Sequence, residues 1–164
     1  MTCASMVLSN GGGAFNHMER EILFRGKGKE TGEWYYGSYL RMDKTTYCFA
    51  EDYAAHPDNT EHFIVFTEMT DWGLPNRRIM IEVDPKTVGQ YIGNVDKNRA
   101  RIFEGDIVKG KVHMRTGYRV RTGVIEYYID AFKMKVGNEY KEIPCPREIV
   151  GNAYDNPELL EEHK

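Results

Sequence analysis

The stretch of sequence that decides the fold is EGDIVKGKVHMRTGYRVRTGVIEYYIDAFKMKV, residues 104–136. Gly105 and Asp106 predict a structural turn before the apolar residues 107–108, with Asp106 accepting hydrogen bonds from local backbone N–H groups. A basic segment with glycines follows, and two β-prone runs then fill residues 120–136. This order of turn, strand, loop, strand and strand is typical of a small five-stranded SH3-like barrel.

Short β-prone runs continue on both sides of this stretch. Residues 21–25 and 33–40 flank a turn with several glycines, which predicts a hairpin with a long loop. Four further runs predict strands at 45–49, 62–67, 79–83 and 148–152. We therefore expect a mainly β fold, with the SH3-like barrel in the C-terminal half and an N-terminal β extension.

Two short helices are predicted from their capping residues. Asp84 before a proline is a helix-start signal and favours a helix at about 84–91. Asn156 before Pro157 is a second such signal and favours a terminal helix at about 156–162. A helix this short needs a surface to dock on. That surface belongs either to the same chain or to a neighbouring subunit, so a homo-oligomer is one expected possibility.

The domain organisation follows from the glycines near the beginning of the chain. Residues 1–17 end in a glycine-rich stretch that predicts a flexible extension. Residues 18–164 are expected to form one domain, with an N-terminal β part at 18–83, an SH3-like part at 84–154 and the terminal helix at 155–164.

Composition narrows the classes of partner. A net charge of −3 gives no global attraction to nucleic acid or anionic membrane, so polyanion binding needs a local patch. No apolar run approaches the roughly 18 residues of a membrane span, and we expect no membrane partner. Three scattered cysteines, Cys3, Cys48 and Cys145, predict reduced thiols in a cytoplasmic protein rather than a disulfide framework or a zinc site.

Three ordered segments carry a family resemblance. They are REILFRGK at 20–27 with GEWYYG at 32–37; DPKTVGQYIG at 84–93 with DKN at 96–98 and IFEGDIV at 102–108; and IVGN at 149–152 with YDNPELL at 154–160. In order and spacing the chain resembles the YopX-like family of phage and prophage proteins. The resemblance implies a mainly β fold with an SH3-like part and a phage or prophage gene, and it supplies no catalytic residue.

One position departs from the pattern of that family. Its members usually have glycine after the Asp-Lys-Asn turn, and this chain has Arg99. Glycine would supply the positive φ of a tight turn. Arg99 therefore predicts another turn type or a longer loop, with Asn98 in the left-handed conformation.

A basic segment at residues 109–121 is the strongest candidate for a contact surface. Small barrels often bind nucleic acid through such loops, and Tyr118, Tyr127 and Tyr128 offer rings for stacking. The alternative is a solvated hairpin whose charges keep an exposed edge from pairing with other chains. The candidate contact residues are Lys109, Lys111, His113, Arg115, Tyr118, Arg119 and Arg121.

Trp72 lies in a loop-like stretch between β-prone runs. Trp34 and Trp72 are each expected to be a core residue or an anchor for a partner. If Trp72 is exposed, it becomes a candidate hot spot for a protein partner.

Other groups give weaker chemical signals. Cys48, His56 and His62 match no metal-site spacing, and Glu104 with Asp106 is better explained by a turn than by a catalytic pair. No P-loop, dinucleotide-binding or G-x-S-x-G pattern occurs in the sequence. We therefore predict no catalytic residue, no metal ligand and no cofactor.

Three function hypotheses follow from these observations. The leading one is a non-enzymatic binding module, a small phage accessory protein that acts through protein or nucleic-acid contacts in the cytoplasm of a bacterial host cell. The alternative is a nucleic-acid-binding regulator that uses the basic segment 109–121. An enzyme of unrecognised type is the third.

Overall fold

The computed structural model describes residues 20–115 and 117–161, which form two antiparallel sheets. The first sheet has the strand order β4-β3-β2-β1-β5-β6, with β1 Phe24–Lys27, β2 Trp34–Asp43, β3 Thr60–Glu68, β4 Arg77–Glu82, β5 Gly89–Val95 and β6 Arg101–Phe103. The second has the order β10-β9-β8-β7-β11, with β7 Asp106–Met114, β8 Gly117–Tyr128, β9 Ala131–Val136, β10 Glu139–Lys141 and β11 Arg147–Asn152. The helices are α1 Ala50–Ala55 and α2 Glu158–Glu161, and Pro85–Thr87 forms a 3₁₀ turn.

The first sheet curls so that the end of β4 returns to β1. Gly28 and Val83 form an antiparallel bridge, and Asp84 N donates to Lys27 O at 2.9 Å. Gly26 permits this approach, since a Cβ at that position would lie 3.0 Å from Val83 Cγ2. Val83 and Ile64 are consequently fully buried inside the curve of the first sheet.

The main apolar core lies between the second sheet and the β5–β6 hairpin. Alternate residues of β7, β8 and β9 face it, as the period-2 pattern of the sequence requires. Its buried members are Ile102, Val108, Val112, Ile125 and Met134.

A buried ion pair joins the two sheets. Arg25 Nη2 lies 2.6 Å from Asp106 Oδ1, and the side chains are only 8% and 2% exposed. The Arg25 guanidinium lies between the rings of Trp34 and Phe103, 4.7 and 5.1 Å from their centres. Arg25 also donates to Glu104 O at 3.2 Å, and Asp106 accepts from Phe103 N at 2.7 Å.

Desolvation dominates the electrostatics of this pair. Burial raises the pKa of Asp106, and the Arg25 guanidinium and the Phe103 N–H oppose that rise. The cost of removing two charges from water can exceed their mutual attraction, whereas deleting one charge leaves the other buried without a partner. The pair therefore fixes the relative position of the two sheets more than it adds net stability.

A second polar cluster holds the C-terminal segment against the first sheet. Asp155 accepts from Lys27 Nζ at 2.5 Å, Trp34 Nε1 at 2.8 Å and Asn152 Nδ2 at 2.9 Å. These donors hold the pKa of Asp155 well below its usual range, and the Lys27 ammonium contributes most.

The mainly β architecture is confirmed, but the finer barrel prediction is not. Within the described residues the second sheet has β10 and β11 as its edges, and no strand ladder joins them. A single backbone bond from Lys97 N to Arg147 O, 2.9 Å long, links β11 to the β5–β6 turn. The SH3-like barrel is therefore not confirmed.

The predicted helix at 84–91 is wrong in its extent. The Asp84 carboxylate does accept from Lys86 N at 3.0 Å, but only Pro85–Thr87 turns helically. β5 begins at Gly89 because residues 89 and 90 pair with β1. Pairing with β1 therefore ends the helical turn that the capping residues favour.

Two other local predictions need correction. Residues 45–49, expected to be a strand, lie outside the strands and precede α1, which the sequence did not indicate. The terminal helix, predicted at 156–162, is the single turn α2, and residue 162 lies outside the described residues. Leu159 of α2 packs close to Gly151 of the same chain.

The left-handed residue of the 96–100 turn is Arg99, with φ 67°, and not Asn98 as predicted. The expectation of reduced thiols is wrong for Cys145, which is disulfide-bonded, while Cys48 is a free, exposed thiol. Cys3 and the predicted flexible extension at 1–17 lie outside the described residues.

Replacing Asp106 with asparagine tests the buried pair. Asp106→Asn keeps an oxygen for Phe103 N but leaves the Arg25 charge unpaired, so we expect a loss of about 3 kcal/mol in the free energy of unfolding. Urea denaturation measures this loss. Glu68→Gln, which breaks the exposed ion pair with Arg77, is the control and should cost less than about 1 kcal/mol. Equal losses would contradict the role of the buried pair.

The Asp155 cluster predicts a pH dependence. Because the pKa of Asp155 is lowered on folding, its contribution is present above the unfolded pKa of about 4 and is lost as pH falls through the folded value. Asp155→Asn should therefore cost roughly 1 kcal/mol at pH 7, discounted for partial exposure, and less at pH 3. Urea midpoints at both pH values measure this, with the exposed Asp130→Asn as control. A constant difference would show that Asp155 does not act through its charge.

Candidate nucleic-acid interface

The basic segment is a projecting β-hairpin. β7 and β8 pair continuously from Ile107↔Val124 to Met114↔Gly117. The pairing of β7 with β11 ends at Gly110, and the pairing of β8 with β9 begins at Val124. Among the described residues, 111–114 and 117–120 therefore pair only with each other. We call residues 109–121 the arm, of which Thr116 lies outside the described residues.

The register divides the basic residues between the two faces of the arm. Lys111 lies opposite Val120 and His113 opposite Tyr118, so these four share one face, together with Lys109. Arg119 and Arg121 lie on the other face, where they oppose Val112 and Gly110. This second face is the one turned toward the core, because Val112 is buried there. Arg115 lies in the turn at the tip. The cations that form one cluster in the sequence therefore lie on both faces and at the tip of the β7–β8 hairpin.

The cations of the arm are available to a ligand. Residues 109–121 contain five lysines and arginines and no carboxylate. No carboxylate of residues 20–115 or 117–161 lies within 4 Å of them. On the neighbouring strand β9, by contrast, Lys133 and Lys135 each pair with a glutamate. The arm is therefore a local positive surface on a chain of net negative charge.

The three tyrosines proposed for stacking differ in their surroundings. Tyr118 is 73% exposed near the tip and meets the His113 ring edge-on at 5.3 Å. Tyr127 packs edge-on against Phe132, and Tyr128 stacks on a neighbouring tyrosine ring. Tyr118 is thus the one of the three that lies on the arm.

Trp72 lies in the loop between β3 and β4 and is 91% exposed. Met69 and Leu74 in the same loop are also largely exposed. The loop is held by internal hydrogen bonds, with Thr70 Oγ1 to Pro75 O at 3.1 Å and Trp72 N to an Asp71 carboxylate oxygen at 2.7 Å. We call residues 69–76 the tryptophan loop.

The weaker chemical candidates have structural partners. His62 bonds to the Tyr39 hydroxyl at 2.5 Å, and His56 Nδ1 contacts Asp52 O at 2.8 Å. Glu104 accepts from Tyr127 N at 3.3 Å. In the described part of the chain, no three His, Cys, Asp or Glu residues are grouped so as to hold a metal ion.

Comparison with known proteins identifies the family. The sequence model described as YopX protein matches residues 23–161, most of the chain. The chain belongs to the YopX family. No curated protein matches this YopX-family chain. A solved structure, protein EF1440 from Enterococcus faecalis, is similar with a TM-score of 0.45 and 18% identity, covering 85% of this chain and 98% of that chain.

The YopX-family chain carries no transmembrane helix in its described part, because neither helix there is long and apolar enough to cross a bilayer. Its cytoplasmic location stays a prediction.

Proposed function

We propose that this YopX-family chain is a non-enzymatic accessory protein of phage or prophage origin that binds duplex DNA through the arm, in the cytoplasm of a bacterial host cell. The observation that carries the proposal is a β-hairpin with five lysines and arginines that have no carboxylate within 4 Å among the described residues. Lys111, His113 and Tyr118 share the face turned away from the core, whereas Val112 on the opposite face is buried. The face turned away from the core is therefore the one offered to phosphates.

The dimensions of DNA support this mode of binding. The major groove of B-form DNA is about 12 Å wide and admits a two-stranded β-ribbon. Lys109 and Lys111, on the face turned away from the core, would then contact phosphates. Tyr118, exposed near the tip, would contact base edges. The major groove of A-form RNA is too narrow for such a ribbon, so duplex DNA is the favoured ligand.

Fluorescence anisotropy with about two helical turns of duplex DNA tests the function. Affinity should fall as salt rises, because phosphate contacts release counterions. Lys111→Gln removes one cation from the face turned away from the core and should reduce the salt slope by about 1. The triple variant Arg115→Glu, Arg119→Glu, Arg121→Glu should abolish binding.

Arg41→Gln removes an exposed cation outside the arm and should leave the affinity for DNA unchanged. Absence of binding to any duplex at low salt would contradict the function itself.

The tryptophan loop favours protein binding as a second function. Its internal hydrogen bonds hold Trp72, Met69 and Leu74 in solvent. Aromatic side chains that become buried when a complex forms contribute most of the binding energy at protein interfaces. A pull-down from phage-infected cells tests this. Trp72→Ala should lose a protein that the native chain recovers, and its unfolding temperature should stay unchanged. Arg115→Glu, which alters the arm, should leave that recovery intact. Equal recovery by the native chain and Trp72→Ala would exclude the loop as an anchor.

A further inference from the structure

A groove of about 760 Å³ opens beside the ion pair that joins the sheets. It lies apart from the arm, and residues from both sheets line it. Tyr36 of β2 and Phe103 of β6 form its aromatic wall, and Arg99 and Arg101 approach from the β5–β6 hairpin. A concave site with aromatic walls and a few convergent polar groups is the usual form of a small-molecule site.

The aromatic wall offers a supported ring to a ligand. Tyr36 is 49% exposed, whereas Phe103 behind it is 3% exposed. The ring centres lie 5.5 Å apart, and Phe103 is backed in turn by Tyr91 at 5.7 Å. Packing therefore holds the Tyr36 ring while much of it faces solvent, which is the arrangement that a planar ligand needs for stacking.

The charges of the lining favour an anion. Arg25, Arg99 and Arg101 line the groove, against one carboxylate, Asp106, which Arg25 already pairs. Arg101 also reaches Glu21 at 2.8 Å across an exposed contact, which a bound anion can replace. Arg99 has no carboxylate within 4 Å among the described residues.

The backbone at Arg99 is held in an unfavourable conformation. Its φ of 67° lies in the left-handed region, which costs a non-glycine residue about 1 kcal/mol. The surrounding turn enforces it, with Arg99 N donating to Asp96 O at 3.1 Å and the Asp96 carboxylate accepting from Asn98 N and Ala100 N. Glycine would form the same turn without strain, so the arginine side chain stands here at a cost in stability. Strain of this kind gathers at ligand sites.

We propose that this groove binds a nucleoside phosphate. The planar base lies against Tyr36, and the phosphate pairs with the guanidinium groups of Arg99 and Arg101. Arg groups match the geometry of phosphate oxygens better than lysine does. The site needs neither the arm nor duplex DNA, so it is independent of the function proposed above.

Isothermal titration calorimetry with the four nucleoside monophosphates tests the proposal. We expect saturable binding of at least one of them, with weaker binding of both its nucleoside and ribose phosphate, because each lacks one half of the contacts. Arg99→Gly is the informative variant. It relieves the left-handed strain, so the unfolding temperature should rise, yet the dissociation constant should increase about tenfold.

Two further variants complete the test. Tyr36→Leu keeps an apolar side chain at a half-exposed position and should also weaken binding about tenfold by removing the stacking face. Arg115→Gln removes the same charge from the arm and should weaken duplex binding but not nucleotide binding. No saturable binding by the native chain, or equal affinity in native protein and Arg99→Gly, would overturn the proposal. Loss of duplex binding alone would leave it intact.

Discussion

The buried pair between Arg25 and Asp106 is the constraint on which the rest of the structure depends. One member belongs to β1 of the first sheet and the other begins β7 of the second. Since neither charge reaches water, the two sheets can meet in few ways that leave both charges paired. The nearby rings of Trp34 and Phe103 narrow the choice further, because the faces of aromatic rings attract the guanidinium charge.

The turn next to this pair explains why its neighbours are also fixed. Gly105 has φ 83°, and a Cβ there would lie 2.8 Å from the ring of Tyr154. Its N–H donates to Ile125 O, and its carbonyl accepts from Ala153 N, both at 2.8 Å. The turn between β6 and β7 therefore contacts β8 and the C-terminal segment as well as the ion pair. A single short stretch of chain sets the position of the groove, the base of the arm and the terminal helix.

Local patterns in the sequence predicted the strands at 62–67, 79–83 and 148–152 and the position of the arm, but the strand predicted at 45–49 is absent. Alternation of apolar residues and the Gly-Asp turn predicted the hairpins of the second sheet. A hairpin pairs segments that are close in the sequence, so local patterns are enough to indicate it. The end of the 3₁₀ turn at Thr87 was not predictable in this way, since Gly89 lies against Glu104 O, so closely that a Cβ would be 2.4 Å away. The division of cations between two faces required the register of β7 with β8, and composition does not contain that information. The groove was missed for a similar reason, because Tyr36 of β2 and Arg99 of the β5–β6 turn come to one groove only through the strand order of the first sheet.

The contacts of Asp155 have a consequence for the order in which the chain can fold. Lys27 and Trp34 lie 128 and 121 residues before their shared partner. Contacts of such sequence separation close large loops and slow the search for the native state. During synthesis, the first strands emerge from the ribosome long before residue 155 does, so the first sheet lacks its last polar contacts until that residue has also been made. A chain that stops short of that residue would leave the Trp34 N–H and the Lys27 ammonium without their acceptor, however well its strands had paired.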